Sequence, residues 1–233
     1  LKQIAGLSGI GRSILEKCEQ FIETGKVSIL EQEKDNPIYV FHKIYGVGPK
    51  KAFDLSEQVH TIAEIRQRPD LLNDTQKIGL VYYEDILKRI PRSEVMEFKV
   101  EFDRAFDKVA MIGDSYDIVG SFRRGNATSG DIDVIISSKS DNRDIYTNFM
   151  KQLWKDGILI ENLSRGKTKS LTIGKIPGNN VARRLDFMYA PPNELAFSTL
   201  YFTGPKSFNV VQRKRANDLG MTMNEHGLYT VVD

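Results

Sequence analysis

A single cysteine, Cys18, leaves the chain without an internal disulfide and without the material for a cysteine-ligated metal site, which favours a reducing intracellular compartment. Long apolar runs are missing as well. The longest, such as Val134–Ile136, are far too short to cross a bilayer, and no stretch reads as a signal peptide, so membrane and secreted classes are set aside. Charge of one sign is not in excess: 33 Lys and Arg against 31 Asp and Glu give +2, which by itself announces no nucleic-acid partner. Low-complexity tracts are absent, and position 1 is Leu1, not Met, so the expected N-terminus lies further upstream. What remains is the composition of an ordinary globular protein, with 233 residues enough for one large domain or two to three small ones.

The distribution of charge says more than its sum. Basic clusters recur at Lys50–Lys51, Lys88–Arg92, Arg123–Arg124, Arg183–Arg184 and Arg213–Arg215. Any one of them reads equally well as solvated surface, but several lie beside Gly turns or acidic motifs where a phosphate fits better; Arg184 and Arg213 are candidate DNA contacts on that ground.

The first ninety residues read as short helices joined by Gly turns. Ile14, Leu15, Cys18, Phe21 and Ile22 recur at helical spacing up to Thr24-Gly25, and Asp35-Asn36-Pro37 reads as a linker. Further helical runs are expected over Pro49–Val59, Thr61–Arg66 and Leu80–Ile90, the last ending at Pro91. After Pro91 the pattern changes. Val95–Val109 places Phe98, Phe102 and Phe106 on one helical face, and strand-like runs follow at Asp117–Val119, Ile132–Ser137, Lys169–Ile173 and Arg184–Tyr189, with a helix at Ile145–Asp156. From Pro191-Pro192 a last unit begins, helical around Phe208–Leu219 and then extended.

One motif occurs twice. Leu7-Ser8-Gly9-Ile10-Gly11 and Ile44-Tyr45-Gly46-Val47-Gly48 share an apolar-x-Gly-apolar-Gly pattern, each followed by a helix. Glycine at both positions allows a tight turn that approaches a phosphate, whose charge then meets helix N-terminal amides. This is a helix-hairpin-helix signature and makes Gly9, Gly11, Gly46 and Gly48 candidate DNA contacts. A single Gly-x-Gly is most often a mere turn; neither copy follows a strand, as a dinucleotide fingerprint requires, and neither is a P-loop.

The densest signal is Gly120-Ser121-Phe122-Arg123-Arg124-Gly125 followed by Gly130-Asp131-Ile132-Asp133. Two residues apart on a strand, Asp131 and Asp133 project from the same face, while Ile132 and Val134 point into a core. Adjacent carboxylates repel, and the pair persists where divalent cations neutralise it; oxygen ligands with open positions suit Mg²⁺ bridging substrate phosphates. The Gly-Ser turn and Arg124 supply amides, a hydroxyl and a guanidinium for a triphosphate. Asp186, between Leu185 and Phe187, is the best third carboxylate, as a metal ligand and as general base, or metal-assisted activator, at a primer 3′-hydroxyl. The plain alternative for each is the wet face of an edge strand.

These strings, together with Arg184–Asp186, Tyr201-Phe202-Thr203-Gly204, Lys88–Arg92 and Gly220–Glu225, resemble the X family of DNA polymerases, near polymerases β and λ, essentially end to end. The resemblance implies an α+β fold: helical helix-hairpin-helix units, a nucleotidyltransferase palm with a mixed β-sheet, and a small C-terminal subdomain. The expected divisions are 1–34 (end of a lyase-like helical domain), 35–91 (fingers), 92–192 (palm) and 193–233 (nucleotide-selecting subdomain, incomplete), with the chain short of the family's length at both ends. It places two Mg²⁺ ions, with Mn²⁺ as substitute, on Asp131, Asp133 and Asp186. It places the triphosphate on Arg89, Ser121, Arg124 and Gly130, the sugar against Tyr201 and Phe202 beside Gly204, the base at Asn209 and the template at Arg213. Backbone carbonyls of Leu7 and Ile10, and of His42, Ile44 and Val47, would hold K⁺ or Na⁺. Lys17 sits where the family has the nucleophilic lysine that excises 5′-deoxyribose phosphate.

The implied activity is template-directed, gap-filling synthesis from dNTPs on gapped or primer-template DNA in base excision repair or end joining, by a monomer, in the nucleus if the cell is eukaryotic. Three departures stand out. Ser13 replaces a lysine that supports the lyase, Met188 an Arg that pairs with a catalytic carboxylate, and Pro205-Lys206 a small-acidic pair beside the base. The competing readings are a template-independent terminal transferase or RNA-tailing nucleotidyltransferase, and a non-catalytic DNA-end-binding module.

Overall fold

Helices dominate the first third of the chain because glycine, proline and short polar caps interrupt it every few residues. The computed structural model describes residues 3–230, which divide after Leu80 into two compact units.

In the first unit α1 (Arg12–Thr24), α2 (Ser28–Glu33), α3 (Pro37–Phe41), α4 (Pro49–Ser56), α5 (Ile62–Gln67) and a 3-10 turn at Pro69–Leu71 lead into α6 (Asp74–Val81). The expected stop of α1 is Gly25, whose left-handed backbone returns its amide to the Phe21 carbonyl. Asn36 accepts from the Ile38 amide and Pro37 fills the first turn, so the presumed linker is the N-cap of α3. Phe41, Ile44, Ala52, Leu55 and Ile65 are buried, whereas α1 buries no residue.

The second unit begins with α7 (Tyr83–Ile86) and β1 (Ile90–Pro91). The helix expected over Leu80–Ile90 is therefore broken, because Ile90-Pro91 leaves it to pair with Thr128-Ser129. Then come α8 (Arg92–Asp107), β2 (Asp114–Ile118), α9 (Gly120–Arg123), β3 (Thr128–Ser129), β4 (Ile132–Ser138), α10 (Asp144–Lys155), β5 (Leu159–Arg165), β6 (Lys169–Gly174) and β7 (Arg183–Tyr189). The unit ends with α11 (Leu195–Thr203), α12 (Lys206–Asp218), β8 (Met221–Met223) and β9 (Leu228–Thr230). Strand β5 and helix α11 have no counterpart in the sequence reading, and the Gly120-Ser121 turn proves to be the start of a short helix.

Five strands form one mixed sheet in the order β2-β4-β7-β6-β5, with β4 and β7 parallel and the other pairs antiparallel. The fold is α+β. Alternation sorts the strands' side chains: Ile132, Val134, Ile136, Leu185, Phe187 and Tyr189 join the α8 and α10 aromatics Phe98, Phe102, Phe106 and Phe149 in the main core. On the other face Val119, Ile135, Met188 and Ala190 make a smaller cluster against Leu195 and Phe202 of α11. The residues between them on that second face are the acidic ones.

Candidate active site

Asp133 and Asp186 are direct partners in the parallel β4–β7 register, and Asp131 lies one residue ahead of β4. One oxygen from each of the three lies within 4.8 Å of the others. Asp186 is 7% exposed, and its Oδ1 is buried without a hydrogen-bond partner. An orphaned buried carboxylate oxygen is costly unless a cation meets it, and an all-oxygen cluster suits a hard divalent cation. The three residues therefore fit the expected Mg²⁺.

Electrostatics agree. Burial raises the Asp133 carboxyl to about 6, helped by the Asp186 charge and opposed by Lys169 and Arg124. Burial also raises Asp186, against Arg184 and Lys169. Arg184 Nη2 pairs with Asp131 and, at 3.4 Å, with Asp186, so this basic residue faces the carboxylates. Gly120 is needed here for two reasons. Its φ is +61°, and a Cβ would collide with the Asp133 carboxylate.

A cleft of about 620 Å³ opens beside the carboxylates, and Asp131 and Asp133 form part of its wall. All eight residues expected at the nucleotide line it: Arg89, Ser121, Arg124, Gly130, Tyr201, Phe202, Gly204 and Asn209. Arg213 lines it as well, as do Pro205 and Lys206, the pair that departs from the family beside the base, together with Asn126 and Val210, to which the sequence had given no role. Each of the main donors is braced. Arg89 donates to the Thr128 hydroxyl (3.1 Å) and carbonyl (2.7 Å), and Ser121 Oγ donates to Ser129 Oγ (2.9 Å). Arg124 reaches the Thr203 carbonyl at 2.5 Å, tying α9 to the end of α11.

Tyr201 and Phe202 are in the last turn of α11, edge to face with centroids 5.1 Å apart, and Asn209 Nδ2 donates to the Tyr201 carbonyl (2.7 Å). Lys169 lies over the Phe202 ring at 5.6 Å. It is a site residue that no motif disclosed, brought in from β6 by the sheet. Met188 is buried in the small cluster under α11 and faces no carboxylate partner of its own.

The two hairpins share their backbone conformation. Gly9 and Gly46 have φ of +85° and +81°, and Gly11 and Gly48 cap α1 and α4 with nearly the same extended dihedrals. Their surroundings differ. Gln76 Nε2 donates to the Gly46 carbonyl (2.9 Å), whereas nothing stands within 4 Å of a Cβ placed at Gly9. Among the carbonyls expected to hold a monovalent cation, Leu7 and Ile44 accept from the Ile10 and Val47 amides, and Val47 accepts from His42 Nδ1 at 2.9 Å. Lys17 is on the exposed side of α1, its Nζ donating to Ser13 Oγ (3.1 Å).

Comparison with known proteins agrees with this geometry. A family model described as the DNA polymerase beta palm matches residues 89–192, one for the fingers domain of DNA polymerase lambda matches 40–87, and one for the DNA polymerase beta thumb matches 198–233. DNA polymerase lambda of Arabidopsis thaliana is 31% identical over 97% of this chain and 46% of its own length. DNA polymerase lambda of Rattus norvegicus is 32% identical over 99% of this chain and 42% of its own. The DNA-directed DNA/RNA polymerase mu of Homo sapiens is 24% identical over 98% of this chain and 54% of its own length. The chain thus spans about half the length of the curated relatives it matches. With palm, fingers and thumb matched in order and the three carboxylates together on the palm sheet, the chain belongs to the X family of DNA polymerases.

Proposed function

We propose that this chain carries out template-directed, gap-filling addition of deoxynucleotides to a DNA primer 3′ end in repair. The observation that carries the reading is the convergence of Asp131, Asp133 and Asp186 at a cleft lined by every residue expected to touch the nucleotide. In this reading residues 1–34, 35–91, 92–192 and 193–233 are the lyase-like remnant, fingers, palm and nucleotide-selecting subdomain.

Asp131, Asp133 and Asp186 would hold two Mg²⁺ ions, with Mn²⁺ as substitute. Bound there, the cations supply charge neutralisation for the triphosphate and acidify the attacking hydroxyl. Arg89, Ser121, Arg124 and the Gly130 amide donate to phosphate oxygens, fixing the triphosphate beside the carboxylates. Asp186 takes the proton of the primer 3′-hydroxyl on a carboxylate oxygen. Tyr201 and Phe202 crowd the sugar and disfavour a 2′-hydroxyl, and Asn209 and Arg213 face base and template. The two hairpins grip DNA backbone with K⁺ or Na⁺ on their carbonyls. The protein acts as a monomer, in the nucleus if the cell is eukaryotic.

Extension of a labelled primer on gapped, nicked and single-stranded DNA, with each dNTP alone, tests the reading. Template-dependent extension on the gap, abolished by Asp186→Ala, is the expected result. Equal extension without template favours the terminal-transferase alternative, which the similarity to a mu polymerase keeps in view. DNA binding without extension leaves only the end-binding module. Borohydride trapping on a 5′-deoxyribose phosphate end, with and without Lys17→Ala, tests the lyase role.

A further inference from the structure

Arg183 and Arg184 are neighbours on β7 with opposite duties. Arg184 faces the carboxylates, whereas Arg183 points to the α8 side of the sheet and is 6% exposed. There it makes a two-pronged pair with Glu94 in the first turn of α8, Nε to Oε1 at 2.7 Å and Nη2 to Oε2 at 2.8 Å. The Glu94 and Arg183 side chains are 13% and 7% exposed, so both partners are largely withdrawn from solvent. A largely buried pair held by parallel hydrogen bonds is geometrically exacting, unlike an exposed helix-surface pair such as Arg12 with Glu16.

The guanidinium has a further hydrogen-bonding edge, and the chain uses it. Arg183 Nη1 donates to the Lys88 carbonyl (3.1 Å) and, more weakly, to the Asp85 carbonyl (3.5 Å). The Ala182 amide donates to Asp85 Oδ2 (3.0 Å), so the start of β7 grips the segment 85–88 twice. The residue after Lys88 is Arg89, whose guanidinium is fixed on Thr128 and lines the cleft. Ile90 pairs with Ser129, and Ser129 in turn receives the Ser121 hydroxyl.

We propose that Arg183, held by Glu94, is the positioning residue for Arg89, setting the backbone from which Arg89 reaches the nucleotide triphosphate. The inference rests on the reading of Arg89 as a triphosphate contact. One strand thereby serves both halves of the site: Asp186 and Arg184 on one face, and the anchor of a phosphate-binding arginine on the other. Arg183 itself touches no substrate and acts through Arg89.

The test is steady-state extension kinetics on a one-nucleotide gap for Arg183→Lys, Glu94→Gln and Arg89→Ala, and for each of the first two combined with Arg89→Ala. Glu94→Gln keeps the shape but removes the charge and one of the two acceptors, setting an amide donor against the guanidinium, and it decides the matter if Arg183→Lys does not fold. Expected is a dNTP KM raised about tenfold with kcat within about twofold, the pattern of lost ground-state binding, and no further rise in the Arg89→Ala background. Melting temperatures are measured beside the kinetics. A lowered melting temperature with unchanged KM makes the pair merely structural and overturns the proposal, as does a KM effect that multiplies with that of Arg89→Ala. The unaltered protein's own extension separates failure of the polymerase reading from failure of this one. Thermal stabilisation by dNTP, lost in parallel in Glu94→Gln and Arg89→Ala, gives a readout that needs no turnover.

Discussion

On the face of the sheet that α8 and α10 cover, Phe102 meets Phe149, Phe187 and Tyr116 edge to face at 5.6–6.3 Å, and Phe102, Phe149 and Phe187 are all buried. The opposite face carries Asp133, which lines the open cleft, with Asp186 beside it, Arg184 and Lys169 acting on the carboxylates, and one buried carboxylate oxygen left unpartnered. The same strands build both faces, residue by alternate residue. One face supplies the stability that lets the other keep an arrangement that is costly by itself, a carboxylate cluster whose burial and mutual repulsion resist ionisation.

The contrast predicts which substitutions unfold the protein and which silence it. Asp186→Ala and Asp133→Ala should each lower extension by on the order of 10³-fold or more. Their melting temperatures should stay near that of the unaltered protein, since burial disfavours the charge of each carboxyl and its removal costs little packing; a near-normal rate in either variant removes it from the site. Phe102→Ala should do the reverse, costing about 3–5 kcal/mol in urea unfolding through the cavity left among four rings. A loss below about 1 kcal/mol would mean that the aromatic face does not anchor the sheet.

Gly120→Ala sits where the two faces meet. A left-handed backbone costs an L-residue about 1–2 kcal/mol, and the added Cβ also displaces the Asp133 carboxylate. Activity should therefore fall by more than the loss of stability accounts for, and parallel losses would sink that account. Tyr201→Gly, at the cleft's outer wall, should leave stability and dNTP use nearly intact while narrowing the gap between dNTP and rNTP efficiencies. An unchanged ratio removes Tyr201 from sugar selection.

The smallest effect is expected far from both faces, at the exposed pair of His226 Nδ1 with Glu194 (2.7 Å). The hydrogen bond to Glu194 raises the His226 pKa above its ordinary 6.5. Its contribution is then complete below that value and is lost as pH rises through the raised one. For so exposed a pair it should stay below about 1 kcal/mol. The melting-temperature gap between the unaltered protein and His226→Gln should be larger near about pH 5.5 than near about pH 8.5, and the opposite order refutes the assignment.

What the sequence disclosed follows the same division. The apolar–acidic–apolar runs Ile132-Asp133-Val134 and Leu185-Asp186-Phe187 made both strands legible and put the carboxylates on one side, and the four-residue spacing of Phe98, Phe102 and Phe106 exposed α8. Strand β5 escaped because register shifts at Leu159/Glu161 and Asn162/Ser164 break its alternation. Helix α11, Leu-Ala-Phe-Ser-Thr-Leu-Tyr-Phe-Thr, is apolar nearly all round and offers no amphipathic stripe to read. Arg183 and Glu94 stand 89 residues apart, and Lys169 enters the site only through sheet pairing, so neither leaves a local pattern. The glycine pattern disclosed both hairpins but not that Gln76 braces only the second.

The pairing of Asp133 with Asp186 has a consequence for how the protein comes into being. The two are neighbours in space only because β7 docks beside β4, and between them the chain must first lay down α10, β5 and β6. Contacts of such long sequence separation form late, after the loop between them has been closed. A nascent chain that has not yet laid down β7 therefore holds Asp131 and Asp133 without their third partner. On the proposed function, the third carboxylate joins the other two only with the closing of the sheet.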